Sequence, residues 1–260
     1  MPFVESSGLR YYQFDIFPPG LSQAVFTRRG GVSPQPWDTL NVGGTVGDDA
    51  ERVGENRMRS FAALGRSLDS MFDVWQVHSA DVVVAAAPRP PGDTHHKADV
   101  ILTREPGVTL YMRFADCVPV MLYDPLHAAI GLAHAGWLGT VRGASRAAVA
   151  AMQAEFGSRP GDILAAIGPS IGPDHYEVGA DVLEQVAGAF GKDAAGLIET
   201  RNERSYLDLW AANRLQLQNA GVKQIEISGV CTACHTDDWF SHRAEKGRTG
   251  RFGALLALPG

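Results

Sequence analysis

Short apolar runs separated by polar turns dominate the pattern, and two of them flank a cysteine and a histidine. Residues 118–123 (VPVMLY) and 128–133 (AAIGLA) have strand length, and DPLH between them reads as a turn containing proline. Paired as an antiparallel hairpin, they make Cys117 at the start of one strand a neighbour of His134 at the end of the other. Upstream, AVF at 24–26 closes a strand. A helix follows from a cap at Asp48 or Asp49 to Leu64, with Val53, Met58, Phe61 and Leu64 apolar and Gly65 as stop. Residues 73–78 (DVWQVH) and 81–86 (DVVVAA) read as strands around a Ser79-Ala80 turn, which puts His78 at the turn. Strands are also predicted at 99–102 and 108–114.

After Trp137 the period changes. A helix over 141–156 is expected, capped by Thr140 and stopped by Gly157. A strand at 163–167, a Gly/Pro turn cluster at 168–173 and a helix at 180–190 come next. A helix over 206–220 capped by Ser205 and strands at 225–230 and 254–258 complete the pattern. Strands and helices mix without strict βαβ alternation. The expected fold is therefore α+β, with mixed or antiparallel sheets flanked by helices. No repeat, low-complexity stretch or linker divides residues 1–260, which read as a single domain.

Composition narrows the function classes. At 45% hydrophobic and 20% charged residues, 260 residues bury a core without staples. A net charge of −6 argues against nucleic-acid and membrane partners. No apolar run is long enough to span a membrane. The start, MPFVESSGLRYYQF, shows no export signal, so a reducing cytoplasm is expected. Three cysteines do not make a disulfide framework, and Cys117 stays available as a thiolate.

His78, Cys117 and His134 all fall at strand ends or turns. Two histidines and a cysteine suit zinc with a fourth position open for water or substrate, and copper accepts the same donors. The bland alternative is two hydrogen-bonded core histidines and a small buried thiol. A Cys117–His134 nucleophile pair is a further reading, and it needs an orienting third group. Asp116 is adjacent, but neighbouring strand side chains point to opposite faces. Arg28 and Arg29 before Gly30-Gly31 make either an anion seat or a solvated basic turn. Arg57, inside the first helix, is either a surface charge or points back to that turn. His95 and His96 lie in a Pro-rich loop and read as polar surface. Cys231-Thr232-Ala233-Cys234-His235 has the spacing of a c-type haem attachment, which is set aside because that attachment occurs outside the cytoplasm.

A set of phrases now adds up: TRRGGVS (27–33), LNVG (40–43), VGDD…ENR (46–57), WQVH (75–78), ADCVPV (115–120), HAGW (134–137), GPSIGP…YEVG (168–179), CT (231–232), FSHR (240–243) and TGR (249–251). In these the chain resembles the YfiH/YlmD family. That family was long labelled multicopper polyphenol oxidase or laccase-domain proteins and is more recently read as zinc-dependent purine nucleoside phosphorylases. The resemblance implies a zinc ion on His78, Cys117 and His134. It implies phosphorolysis of adenosine, inosine, guanosine and methylthioadenosine, adenosine deamination, and a single α+β fold with mixed sheets. Purine nucleoside and phosphate are then the partners, with monomer and dimer both open.

Leu138 departs from the family, since many members carry Arg or Lys after HAGW. Arg142, one helical turn on, is a substitute if 138–142 is helical. The candidate substrate and phosphate contacts are Arg28, Asn41, Arg57, Arg142, Tyr176, His242 and Arg243. Trp137 and Phe240 are further stacking candidates, and Glu177 is an alternative to His242 for handling a proton. The laccase label fits poorly, because eight histidines with no H-x-H cannot build a four-copper set. The competing readings are a cysteine amidohydrolase, in view of family links with peptidoglycan, and a purine- or metal-binding protein without turnover.

Overall fold

The computed structural model describes residues 2–259. Two six-stranded sheets form its centre. In lateral order the first contains β1 (Phe3–Ser6), β2 (Leu9–Tyr12), β3 (Ser22–Phe26), β15 (Phe252–Ala257), β7 (Thr109–Phe114) and β4 (Met71–Phe72). The second contains β14 (Gln224–Ile227), β10 (Leu164–Ile167), β8 (Val118–Asp124), β9 (Ala129–Ala135), β6 (Val100–Thr103) and β5 (Val82–Val84). A small third sheet orders β11 (Glu177–Val178), β13 (Arg204–Leu207) and β12 (Ile198–Arg201). The helices are α1 (Ala50–Ala62), α2 (Trp137–Arg142), α3 (Ala144–Phe156), α4 (Ala180–Phe190) and α5 (Leu209–Asn219). Three strand pairs are parallel (β4–β7, β5–β6, β10–β14) among otherwise antiparallel ladders, so the fold is mixed α+β as expected. No helix among the described residues is long and apolar enough to cross a membrane.

The period of two decides where the central hairpin points. Val118, Val120 and Leu122 of β8, with Ala133 and Ala135 of β9, pack against Ala148, Val149 and Met152 of α3. The alternate residues Met121, Ile130 and Leu132 face the first sheet, where they meet Leu110, Met112 and Phe114. Both faces are covered, which explains why these strands are apolar throughout. By the same alternation Cys117 and His134 belong to the inter-sheet side, and the His134 ring lies 5.3 Å from that of Phe114. Beyond the first sheet, Phe61 of α1 packs on Tyr111, with ring centroids 5.2 Å apart. The order of layers is thus α1, first sheet, second sheet, α3 with α5.

Three segments depart from the pattern. Residues 73–78 form no strand, only a bridge from Trp75 to Lys97, and no hairpin joins them to 81–86, because the chain crosses here from β4 in the first sheet to β5 in the second. The Asp99 carboxylate accepts from the Val77 and Ser79 N–H groups and holds His78 between them at φ 59°. The helix expected over 141–156 is split. Gly136, not Thr140, caps α2, and Gly143 at φ 89° separates α2 from α3. Thr140 is turned to accept from Asn213 at 3.0 Å. Ser205 is no cap either. It sits in β13, paired on both sides, and Asp208 caps α5 by accepting from Ala211 N–H at 2.9 Å.

Candidate metal and substrate site

The β8–β9 register sets Val118 opposite Ala135, so Cys117 and Gly136 face each other just beyond the ladder. His78 arrives from the crossover segment. The donor atoms of His78, Cys117 and His134 all lie within 4.8 Å of one another, with Cys117 Sγ 4.0 Å from His78 Nε2. Gly136 is the residue this proximity demands. A Cβ there would stand 2.7 Å from Cys117 Sγ and 3.2 Å from the His78 ring.

A buried carboxylate organises the group. One oxygen of Asp99 lies 2.7 Å from His134 Nδ1, which leaves Nε2 to face the thiol. The other accepts from the backbone on both sides of His78 at 3.0 and 2.7 Å. Burial works against ionising either Cys117 or His134, but their mutual attraction and hydrogen bonds outweigh it. The thiol is lowered to about 6 and the imidazole raised to about 9. A thiolate, two imidazoles and a carboxylate behind one of them form a donor set that fits zinc with an open position.

The group floors a cleft of about 740 Å³, within the usual size of a small-molecule site. Arg57 and Arg251 line the same cleft. Arg57 donates only to the Val42 carbonyl, at 3.0 and 2.9 Å, and Arg251 to the carbonyls of Thr249 and Gly250. Neither forms an ion pair among the described residues. Burial lowers the pKa of both, and the like charge of Arg113 lowers that of Arg57 further. Two desolvated guanidiniums without a carboxylate make an anion seat. Arg113 also lines the cleft, but it is matched by Asp73 at 2.7 Å.

Of the residues singled out in the sequence, the fold gathers His78, Cys117, His134, Arg57, Trp137, Tyr176, His242 and Arg243 around this cleft, and His95, expected on the polar surface, lines it too, 3.2 Å from Asp73. The Arg243 guanidinium lies 5.1 Å from the Tyr176 ring centre. Burial, then the Cys117 charge, keeps the Tyr176 phenol well above its usual pKa.

Five expectations need correction. Arg28 lies off the cleft, held by Asp38 at 3.1 Å and Glu245 at 3.0 Å and stacked over the Phe240 ring, so its charge is already matched. Phe240 is fully buried under it and does not stack on a ligand. Arg142 gives its N–H to the His78 carbonyl at 2.9 Å and steadies the backbone rather than lining the cleft. Asn41 is buried and accepts from Gly43 and Arg251 N–H groups, so it supports the cleft wall from behind. Glu177 pairs with Arg204 at 3.1 Å, outside the cleft. Asp116, at φ 76°, accepts from Thr232 and from Arg243 N–H, both at 2.7 Å, and ties the C-terminal segment to the cysteine turn.

Asp99 and Arg251 escaped the sequence reading as site residues. Arg251 stood in a quoted phrase, TGR, and that was its only signal. Asp99 had none, because it lies 35 residues before its imidazole partner.

A family model described as multi-copper polyphenol oxidoreductase laccase matches residues 22–259. The chain is 42% identical over 239 residues to a Deinococcus radiodurans protein named purine nucleoside phosphorylase, covering 91% of this chain and 88% of that one. It is 36% identical over 240 residues to the Bacillus subtilis purine nucleoside phosphorylase YlmD, covering 89% and 86%. The crystal structure of YlmD from Geobacillus stearothermophilus superposes with a TM-score of 0.93 at 35% identity, over 100% of this chain and 99% of that one.

Proposed function

The chain belongs to the family described as multi-copper polyphenol oxidoreductase laccase, and on that premise we propose that it is a zinc-dependent purine nucleoside phosphorylase, not a phenol oxidase. The observation that carries the reading is one cleft holding both a His–Cys–His donor set and two guanidiniums without a carboxylate partner. A nucleoside and phosphate need both features together.

In this reading His78, Cys117 and His134 hold the zinc, which when bound supplies Lewis-acid character at the cleft floor. Arg57 and Arg251 bind phosphate and set an oxygen in line with C1′ of the ribose. The O–C1′ bond forms as the C1′–N9 bond breaks, and its electron pair leaves with the purine. The purine then takes up a proton, with His242 as the donor. Tyr176, neutral at working pH, and Arg243 face the base. Adenosine, inosine, guanosine and methylthioadenosine are the substrates, and adenosine deamination is a second activity of the same centre. The enzyme is one domain over residues 1–260 and works in the reducing cytoplasm.

A second reading has an observation of its own. Asp99 backs His134 as an orienting carboxylate, and the Cys117 thiol is lowered to about 6, as a Cys–His–Asp amidohydrolase requires. One assay separates the two. Zinc-quantified protein is given adenosine with and without phosphate beside Cys117→Ala and Arg251→Gln variants, and products are separated by chromatography. Adenine and ribose 1-phosphate that require phosphate support the proposal. Inosine alone leaves only the deaminase. No purine product from zinc-loaded protein, with amide hydrolysis abolished by thiol alkylation, would transfer the assignment to the cysteine enzyme.

A further inference from the structure

A second group of donors lies outside the triad. The 168–178 loop brings Asp174 and His175 against Cys231 and Cys234, and one ligand atom from each falls within 4.8 Å of the others. His175 Nδ1 is 3.4 Å from Cys234 Sγ, 3.8 Å from Cys231 Sγ and 3.1 Å from Asp174 Oδ2. Cys234 Sγ is 3.1 Å from the same Asp174 oxygen. With zinc bonds of about 2.3 Å to sulfur and about 2.0 Å to nitrogen or oxygen, tetrahedral edges are about 3.5 Å for S···N and about 3.3 Å for N···O. The two S···N spacings fall on either side of the first edge, and the N···O spacing of 3.1 Å lies just inside the second.

The backbone is shaped to the same end. Gly172 N–H donates to Cys231 Sγ at 3.2 Å and fixes the position of that sulfur. A Cβ on Gly172 would reach within 2.6 Å of the Asp174 carboxylate and 3.1 Å of Cys231 Cβ, so only glycine lets the loop fold this closely over the thiol. Ser170 pairs with Cys231 in a parallel bridge, and its carbonyl accepts from Thr232 N–H at 3.0 Å. The haem-like motif therefore supplies its two thiols but not its histidine. The imidazole comes from position 175, 56 residues before Cys231.

We propose that Asp174, His175, Cys231 and Cys234 form a second metal site, taking a thiophilic divalent cation such as zinc in a closed four-donor shell. Four protein donors leave no position for substrate, which is the pattern of a structural site. It clips together two segments that wall the cleft, one carrying Tyr176 and the other His242 and Arg243.

The cysteine count makes the site separately visible. The chain has three cysteines, so in a Cys117→Ala protein every remaining thiol belongs to the proposed site. The test is metal content together with cobalt(II) spectroscopy on the full chain, neither of which depends on turnover. Purified under reduction, the unaltered protein is expected to hold about two zinc ions per chain and Cys117→Ala about one. Cobalt-loaded Cys117→Ala is expected to show a near-ultraviolet thiolate-to-cobalt band that Cys234→Ser abolishes in the same background. His175→Ala, an exposed loop substitution, should weaken that band if Cys234→Ser fails to fold. A single zinc that vanishes in Cys117→Ala, or cobalt bound without a sulfur band, would overturn the site. So would a Cys231–Cys234 disulfide found by mass spectrometry in protein handled without oxygen.

Discussion

The two donor clusters draw on similar side chains and differ in support. Cys117 and His134 hang from the inter-sheet side of the central hairpin, His78 joins them from the crossover segment, and the fully buried Asp99 holds both histidines from behind. Asp174, His175 and Cys234 sit on exposed loops, and only Cys231 is buried. The first cluster has three donors and opens on a cleft; the second has four, three of them on residues exposed to solvent. The contrast teaches that donor count and backing, not donor identity, separate a centre built to react from one built to hold. A sheet-borne group keeps its geometry while ligands come and go, whereas loop-borne donors need an ion to fix them.

The sharpest break in that comparison comes from Cys117→Ala. Phosphorolysis is expected to fall more than about a hundredfold, beyond the 10- to 100-fold that loss of a supporting partner costs, as read by ribose 1-phosphate release. Thiol chemistry separates the clusters next. In metal-free protein the Cys117 thiol is lowered to about 6, while burial and then the hydrogen bond to Asp174 push Cys234 up to about 12. A lowered pKa means that thiolate is present above it and lost below it. Alkylation of Cys117 should therefore reach half its maximum near pH 6, with Cys234 unreactive through neutrality. Peptide mass spectrometry after pulse labelling reads both, and equal labelling at pH 7 would erase the distinction.

Asp99→Asn tests the backing itself. It keeps the shape but loses the charge behind His134, and zinc affinity should drop about 10- to 100-fold in a chelator competition. At the anion side, Arg251→Gln should raise the KM for phosphate about tenfold or more, the equivalent of one charge-assisted hydrogen bond, with little change in the KM for adenosine. The smallest effect belongs to the outer cluster. Cys234→Ser should lower the Tm by about 2–8 °C, as for a loss of about 1–2 kcal/mol, and in a Cys117→Ala background, where only the outer site is left, a chelator should cause the same drop.

Legibility in the sequence follows the range of the contacts. The hairpin that joins Cys117 to His134 is local, so alternation and one turn were enough to find it. The α1 cap, placed at Asp48 or Asp49 and made by Asp49, and the α+β class were legible for the same reason. The crossover at 73–81 was not, because a strand-like pattern does not say which sheet a strand enters. Arg28 misled for a related reason. Two arginines beside two glycines look free in sequence, while Asp38 and Glu245, the latter 217 residues away, neutralise the first of them.

The sequence by itself determined most of the segments that extend or coil, the hairpin that makes Cys117 a neighbour of His134, and the family to which the phrases belong. These depend on side-chain period and residue type, which short windows contain. The tertiary structure alone decided that Asp99 backs His78 and His134, that Arg57 and Arg251 rather than Arg28 and Arg142 line the cleft, and that His175 rather than His235 joins the two outer thiols. Each of those is a pairing across sheets or loops, and its partner is chosen by packing geometry and charge compensation, neither of which any single window encodes.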